Sequence, residues 1–396
     1  MKKIGFVIPW HGEDIPGGAE MALRGVTQHL HAAGVEVEIL TTCVKEFASD
    51  WNQNYHKPGL KIEHGIPVRR FRIRKRNVEA FDQVNMKLMS GKNITPEEEQ
   101  IFVKEMINSP DMYKYIEKYK DDYHCFVGIP YMFGPVYQMC RICPEKAVLI
   151  PCFHEESYIH MNIFKEAFSN IRGMIFNAEP ERKLAEKVFH LTDVELITPG
   201  LGMNTDLNFD AQRFREKYHI EGPFVLYAGR KDVGKNVYAL IKYFSEYEAR
   251  HSEKLKLVLI GGGTVQIPEN IREDVHDLGF VEIQDKYDAY AAALALCQPS
   301  KHESFSYVIM ESWLCERPVI VHEGCDVTKD FAVQSNGGLY FHNYFEFESV
   351  VDYYLQHPEK ARMMGLQGKQ FVLDNFKWDI VVDKYIRFFK KLDNSR

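Results

Sequence analysis

The feature that most constrains this chain is an alternation of strand and helix that runs, stops and starts again. Ile4-Gly5-Phe6-Val7-Ile8-Pro9 reads as a strand buried on both faces. A loop with Gly17-Gly18 follows, then an amphipathic helix from Ala19 to Ala33 whose apolar members are Met21, Leu23, Val26 and Leu30. Gly34 ends it, and Val35 to Thr41 is the next strand. Further strands are predicted at Val68 to Ile73, Cys125 to Ile129, Ala147 to Ile150, Met174 to Phe176 and Val194 to Ile197. Residues 79 to 121 are charged and weakly periodic, and read as a helical insertion. The rhythm restarts with the strand Phe224 to Ala228, the helix Asn236 to Arg250, and Leu255 to Ile260 running into Gly261-Gly262-Gly263. Strands near Val275 to Phe280, Ala295 to Gln298 and Val319 to Val321 continue it. Repeated βα units of this kind imply one parallel sheet, covered on both faces, in each half.

A chain of 396 residues exceeds one ordinary core, so two α/β domains are expected. The boundary is placed at Pro199, giving residues 1–199 and 200–377. The last stretch, 378–396, sets Ile380, Val381, Tyr385, Phe388 and Phe389 at helical spacing and is expected to pack back on the first domain. Two open sheets of this class bind ligands at the carboxyl ends of their strands, in a crevice that both domains face. The net charge of −7 argues against general nucleic-acid binding. No apolar run approaches the roughly 18 residues of a membrane span. Eight cysteines do not make a disulfide scaffold at this length, which points to the cytoplasm; Cys140-x-x-Cys143 lacks a second pair at zinc spacing.

Chemistry concentrates in the second half. His302-Glu303-Ser304-Phe305-Ser306-Tyr307-Val308-Ile309-Met310-Glu311 sets two carboxylates eight positions apart, between a strand and a following helix. At the helical rise they lie on the order of 12 Å apart, with Glu303 in the loop and Glu311 on the helix. Free backbone amides around Ser304 to Tyr307 suit an anion between them. Hydroxyl acceptor, phosphate cradle, hydroxyl acceptor is a layout that fits a nucleotide sugar. Glutamate is also an ordinary surface helix former, so the pair alone decides nothing. Upstream, Gly229-Arg230-Lys231-Asp232-Val233-Gly234-Lys235 follows the strand Phe224 to Ala228. Arg230 and Lys235 supply the charge that a leaving diphosphate needs, although a solvated turn has the same composition.

In the first half, Gly17 and Gly18 permit close backbone approach at a helix start. Neither they nor Gly261 to Gly263 make a dinucleotide fingerprint, which weakens a dehydrogenase reading. His154 follows the strand Ala147 to Ile150 and is placed on the crevice side, although a lone histidine is more often a structural hydrogen-bonder. Arg69-Arg70-Phe71-Arg72-Ile73-Arg74-Lys75-Arg76 reads as an edge strand with a charged outer face. The alternative is contact with an anionic acceptor or a membrane surface.

These residues together resemble glycosyltransferase family 4, the retaining nucleotide-sugar transferases of the GT-B fold. The resemblance runs through Gly17-Gly18-Ala19-Glu20, Pro199-Gly200 to Asp206, Gly229-Arg230 with Lys235, Leu259 to Gly263 and Leu278-Gly279-Phe280-Val281. It ends with Pro299-Ser300 to Glu311, Arg317-Pro318-Val319-Ile320 and Phe376-Lys377-Trp378. The E-x7-E spacing is its most specific mark. The resemblance implies that Arg230 and Lys235 bind the diphosphate and that Glu303 holds hydroxyls of the transferred sugar. It implies that amides of Phe305, Ser306 and Tyr307 hold a phosphate and that Glu311 takes the ribose. Gly279, Phe280 and Val281 would border the base, and His154 would lie beside the donor sugar. Two positions depart from the family, which often has glycine where this chain has Asn236 and Ser306.

The activity implied is metal-independent, cofactor-free transfer of a sugar, with retention, from a nucleotide-diphosphate sugar to a glycan or lipid-linked acceptor in surface polysaccharide synthesis. The implied place is the cytoplasm at the inner membrane face. A GT-B epimerase, hydrolase or phosphorylase shares the architecture, and an idle nucleotide-sugar-binding protein is the alternative from another class.

Overall fold

The computed structural model describes residues 1–15 and 17–394. The chain divides into two compact units, Met1–Gly202 with the terminal helix from Trp378, and Met203–Lys377.

The first unit is built on strands β1 (Lys3–Val7), β2 (Val37–Thr42), β3 (Gly59–Glu63), β4 (Ile66–Phe71), β5 (Tyr123–Gly128), β6 (Ala147–Leu149), β7 (Gly173–Ile175) and β8 (Glu195–Ile197). They form one sheet in the order β3-β4-β2-β1-β5-β6-β7-β8. Every pairing is parallel except β3 with β4. The central strands are almost wholly buried runs of Ile, Val, Leu and Phe, as a sheet with helices on both faces requires. The charged stretch between β4 and β5 is three helices, Val78–Met89, Pro96–Glu105 and Pro110–Tyr119. A capping box formed by Thr95 and Glu98 starts the second of them.

The arginine run is corrected by this topology. Strand β3 takes the edge, so β4 lies second from it, and residues beyond Phe71 are not strand. The sign of β3 was local: a two-residue hairpin turn, His64-Gly65, with both residues at positive φ. The run also turns inward. Arg69 pairs with buried Glu38, Arg70 with Glu63, and Arg74 with Glu105, while Arg76 lies over the rings of Trp51 and Phe81. Most of its charge is therefore spent within the unit, and the run is not a free basic face.

The helix Trp378–Asn394 closes the first unit; residues 395 and 396 of the predicted segment lie outside the described residues. Val381, Tyr385, Phe388, Phe389 and Leu392 are its buried face. At its start Trp378 stacks on His29, with ring centroids 3.9 Å apart. A Cβ on Gly25 or Gly202 would lie 2.5 or 2.1 Å from this indole, so both glycines make its slot.

The second unit has strands β9 (Phe224–Ala228), β10 (Lys256–Ile260), β11 (Val275–Gly279), β12 (Ala295–Gln298), β13 (Val319–His322) and β14 (Gly338–Phe341). All are parallel, in the order β11-β10-β9-β12-β13-β14. The order places the exits of β9 and β12 side by side. The eight cysteines are free thiols, and no described helix is long and apolar enough to cross a membrane.

Candidate functional site

Three loops leave the sheet of the second unit at the carboxyl ends of β9, β12 and β11. The β9 exit begins with Gly229 and is held by Tyr227, whose hydroxyl donates to the Arg230 carbonyl. Asp232 caps the short 3-10 turn Val233–Lys235 by accepting from the Lys235 amide at 2.9 Å. Asn236 then takes a left-handed conformation (φ 57°), and its Nδ2 donates to the Pro299 carbonyl at 2.9 Å. That bond fastens the β9 exit to the β12 exit. Asparagine tolerates this conformation better than most residues with a side chain, so it can stand where glycine is common.

The fastening brings the two predicted charges together. Lys235 Nζ donates to Glu303 Oε1 at 2.7 Å, and both side chains are largely buried. Arg230 is different: its side chain is 68% exposed and its Nε sits 3.2 Å from Asp232 Oδ2. The helix after Glu303 runs Tyr307–Leu314. Half of the Glu303–Glu311 spacing is therefore loop, and a uniform helical rise does not describe it. No side chain caps this helix, so its first-turn amides are open to an anion. Its N-cap, Ser306, is left-handed (φ 82°), buried, and its Oγ has no hydrogen-bond partner. Phe305 is not a ligand-facing ring. It is core, edge-on to Phe331 and Phe376, and it anchors the loop.

Glu311 is 7% exposed and doubly held. Its Oε1 accepts from Lys286 Nζ at 2.7 Å and its Oε2 from the Tyr290 hydroxyl at 2.9 Å. Each carboxylate oxygen has a further lone pair, so acceptor capacity remains. Lys286 and Tyr290 face Glu311 from one turn of the helix Ile283–Ala292, a pairing with no mark in the sequence around Glu311.

Gly279 is left-handed, and Phe280 after it is 79% exposed. The Phe280 ring lies against Gly262, where a Cβ would meet it at 2.7 Å. Val281 follows, partly buried.

In the first unit, Gly17 (φ 145°) is the N-cap of the helix Gly18–Ala32. A Cβ there would lie 2.0 Å from the Glu20 carboxylate, which accepts from Trp10 Nε1 at 2.5 Å. Around Gly18 there is open space, so packing does not demand glycine at that position. His154, partly exposed, lies on the loop after β6, with Nδ1 3.8 Å from Glu156.

Sequence reasoning missed the residue that shapes the His154 loop. Glu181 accepts from the Phe153 amide at 2.8 Å and the Asn177 amide at 2.7 Å, tying the exits of β6 and β7. Burial pushes its carboxyl up to about 7, against those two amides and the nearby His154. The folded state thus holds a proton between about pH 4.5 and 7 that the unfolded chain releases. Stability from this group is fullest below 4.5 and falls as pH rises to about 7, by about 3 kcal/mol. Melting wild type and Glu181→Gln from pH 5 to 8 should show the wild-type advantage shrinking with pH. A constant difference would rule this out.

Known proteins resemble this chain in fold and in part of its sequence. Sucrose-phosphate synthase from Thermosynechococcus elongatus superposes with a TM-score of 0.72 at 17% identity, covering all of both chains. The Anabaena Alr3699/HepE protein in complex with UDP and glucose gives 0.69 at 15% identity, covering 98% of this chain and all of that one. The fold is the GT-B fold, two parallel-sheet α/β domains with a terminal helix returned to the first. One curated relative is N-acetylgalactosamine-N,N'-diacetylbacillosaminyl-diphospho-undecaprenol 4-alpha-N-acetylgalactosaminyltransferase of Campylobacter jejuni. It is 30% identical over 165 residues, and the chain spans 40% of that protein's length with 40% of its own. Residues 208–371, which hold Arg230, Lys235, Glu303 and Glu311 but not Gly17, Gly18 or His154, match the family model for glycosyl transferases group 1.

Proposed function

We propose that this protein is a retaining, metal-independent glycosyltransferase that moves a sugar from a nucleotide-diphosphate sugar to a lipid-linked or glycan acceptor. The observation that carries the reading is the Lys235–Glu303 pair ahead of an uncapped helix start, with Glu311 on the same helix. Lys235, Arg230 and the helix amides take the diphosphate, Glu303 the sugar hydroxyls, and Glu311 the ribose. Gly279, Phe280 and Val281 border the base; Gly17, Gly18 and His154 belong to the donor side of the first unit.

Negative charge grows on the leaving diphosphate in the transition state, so preorganised cations and amides stabilise it more than the bound substrate. The acceptor hydroxyl attacks from the leaving-group side and passes its proton to the departing phosphate, with no protein nucleophile. The acceptor class is supported by the name of the Campylobacter relative, and the proposed setting is bacterial surface glycoconjugate synthesis at the inner membrane face. Contact with the membrane is assigned to the acceptor's lipid, because three of the run's six cations pair with glutamates of the unit and a fourth lies over aromatic rings.

Incubation with a panel of UDP- and GDP-sugars and lipid-linked saccharides tests this, with NMR of the first product reporting the anomeric configuration. Sugar released to water or phosphate, an inverted product, or donor binding without nucleotide release across the panel each rejects the proposal. Glu311→Gln is expected to raise the donor KM several-fold, about 1 kcal/mol for one weakened hydrogen bond, with little change in kcat or in the pH profile. A new pH dependence would instead mark Glu311 as a proton carrier.

A further inference from the structure

Lys231 is buried, and lysine is almost never so unless paired. Its Nζ donates to the Gly261 carbonyl at 2.6 Å and to Asp277 Oδ1 at 2.5 Å. Its own amide donates to the Gly262 carbonyl at 2.7 Å. Asp277 Oδ1 also accepts from the Gly279 amide at 3.2 Å, and the Gly261 amide donates to the Gly279 carbonyl at 2.7 Å. One ammonium thus gathers the exits of three neighbouring strands, β9, β10 and β11. A buried ion pair is a poor route to stability, since apolar residues of similar volume often serve as well or better. A charged knot adds a side-chain tie to the few backbone bonds between these loops and so fixes one arrangement of them.

What the knot holds in place is a flat surface. Gly262 sits under the Phe280 ring, and Phe280 leaves that ring open to solvent beside the glycine turn. An exposed aromatic face over a rigid backbone suits stacking by a planar ring. We propose that Lys231, through Asp277, is a positioning residue for the nucleobase of the donor; this rests on the nucleotide-sugar reading above. Arg230, Lys235 and the helix start, which take the diphosphate, lie outside the knot's hydrogen bonds, so base and phosphate recognition should separate.

The test is calorimetric titration with UDP, GDP and inorganic pyrophosphate. Lys231→Met keeps most of the stem volume, and Asp277, partly exposed, can be hydrated once freed. It is expected to bind the preferred nucleoside diphosphate about tenfold more weakly (~1.4 kcal/mol) and pyrophosphate as well as wild type does. Asp277→Asn, which keeps the lysine in place, is expected to shift in the same direction by less. It carries the test alone if Lys231→Met does not fold. Nucleotide binding unchanged in these variants overturns the inference, and so does an equal loss of pyrophosphate. A wild-type protein that binds pyrophosphate but neither nucleotide overturns the donor reading itself, an outcome seen before any variant is made.

Discussion

Lys235→Ala is expected to lower kcat by about 10²–10³-fold, about 2.7–4 kcal/mol of transition-state stabilisation. Its ammonium is largely shielded from water and 2.7 Å from Glu303, so its charge acts in a medium less screening than bulk solvent. Removal has two consequences. On the proposed reading the developing phosphate charge loses a fixed cation, and Glu303, only 11% exposed, keeps a carboxylate with no partner. The second effect should disturb the sugar as well as the phosphate. Arg230→Ala is expected to act in the same direction, although Arg230 lies exposed against Asp232 and must turn to reach a ligand. Turnover at saturating donor is the measurement. A loss below about threefold for Lys235→Ala, under 1 kcal/mol, would remove Lys235 from the reaction.

The largest effect on stability is expected at Trp313. It is fully buried on the helix that carries Glu311, and its Nε1 donates to the Gly337 carbonyl at 2.8 Å. A Cβ on Gly368 would lie 2.3 Å from its ring, and one on Gly365 2.3 Å from the Glu316 carbonyl. These two glycines, one turn apart on the helix Pro358–Asn375, let that helix close on Tyr307–Leu314. Trp313→Ala leaves a cavity and removes one of two donors to the Gly337 carbonyl, which keeps the Val319 amide at 3.2 Å, and should cost about 3–5 kcal/mol. Chemical denaturation of wild type and variant gives the value directly. Because the helix backs the Ser306–Glu311 segment, donor affinity should fall with it. A cost under 1 kcal/mol would mean that the two helices are not held by this residue.

The alternation of strand and helix was legible because each strand is a buried apolar run and each helix keeps one apolar face. The positions of Arg230, Lys235 and Glu303 at strand exits, and of Glu311 on the helix that follows, could be read because each comes after an apolar run of the parallel sheet. What brings Lys235 to Glu303 was not: it depends on β12 lying beside β9, and strand order is decided by packing across the whole sheet. The partners of Glu311 and Lys231 were hidden for the same reason. Lys286 and Tyr290 lie more than twenty residues upstream of Glu311, and Asp277 belongs to the third strand from β12. The arginine run misled because charge in a sequence does not say which way it faces; Glu38, Glu63 and Glu105 claim half of its six cations. Asn236 and Ser306 showed only as absent glycines, whereas the structure gives both left-handed backbones.

The terminal helix has a consequence for how the protein is made. Residues 203–377 form a continuous stretch whose sheet is complete in itself, and Met203 and Lys377 meet in an isolated bridge where that stretch begins and ends. The first unit is different. Phe388 fills the space over Gly173, and the Phe389 carbonyl meets His124 at 2.8 Å, so part of its surface stays uncovered until the helix has been synthesised. During translation the second unit, made later, can fold first as a whole. The unit begun earliest waits with an apolar face open, which makes it the part of the nascent chain most in need of protection from aggregation.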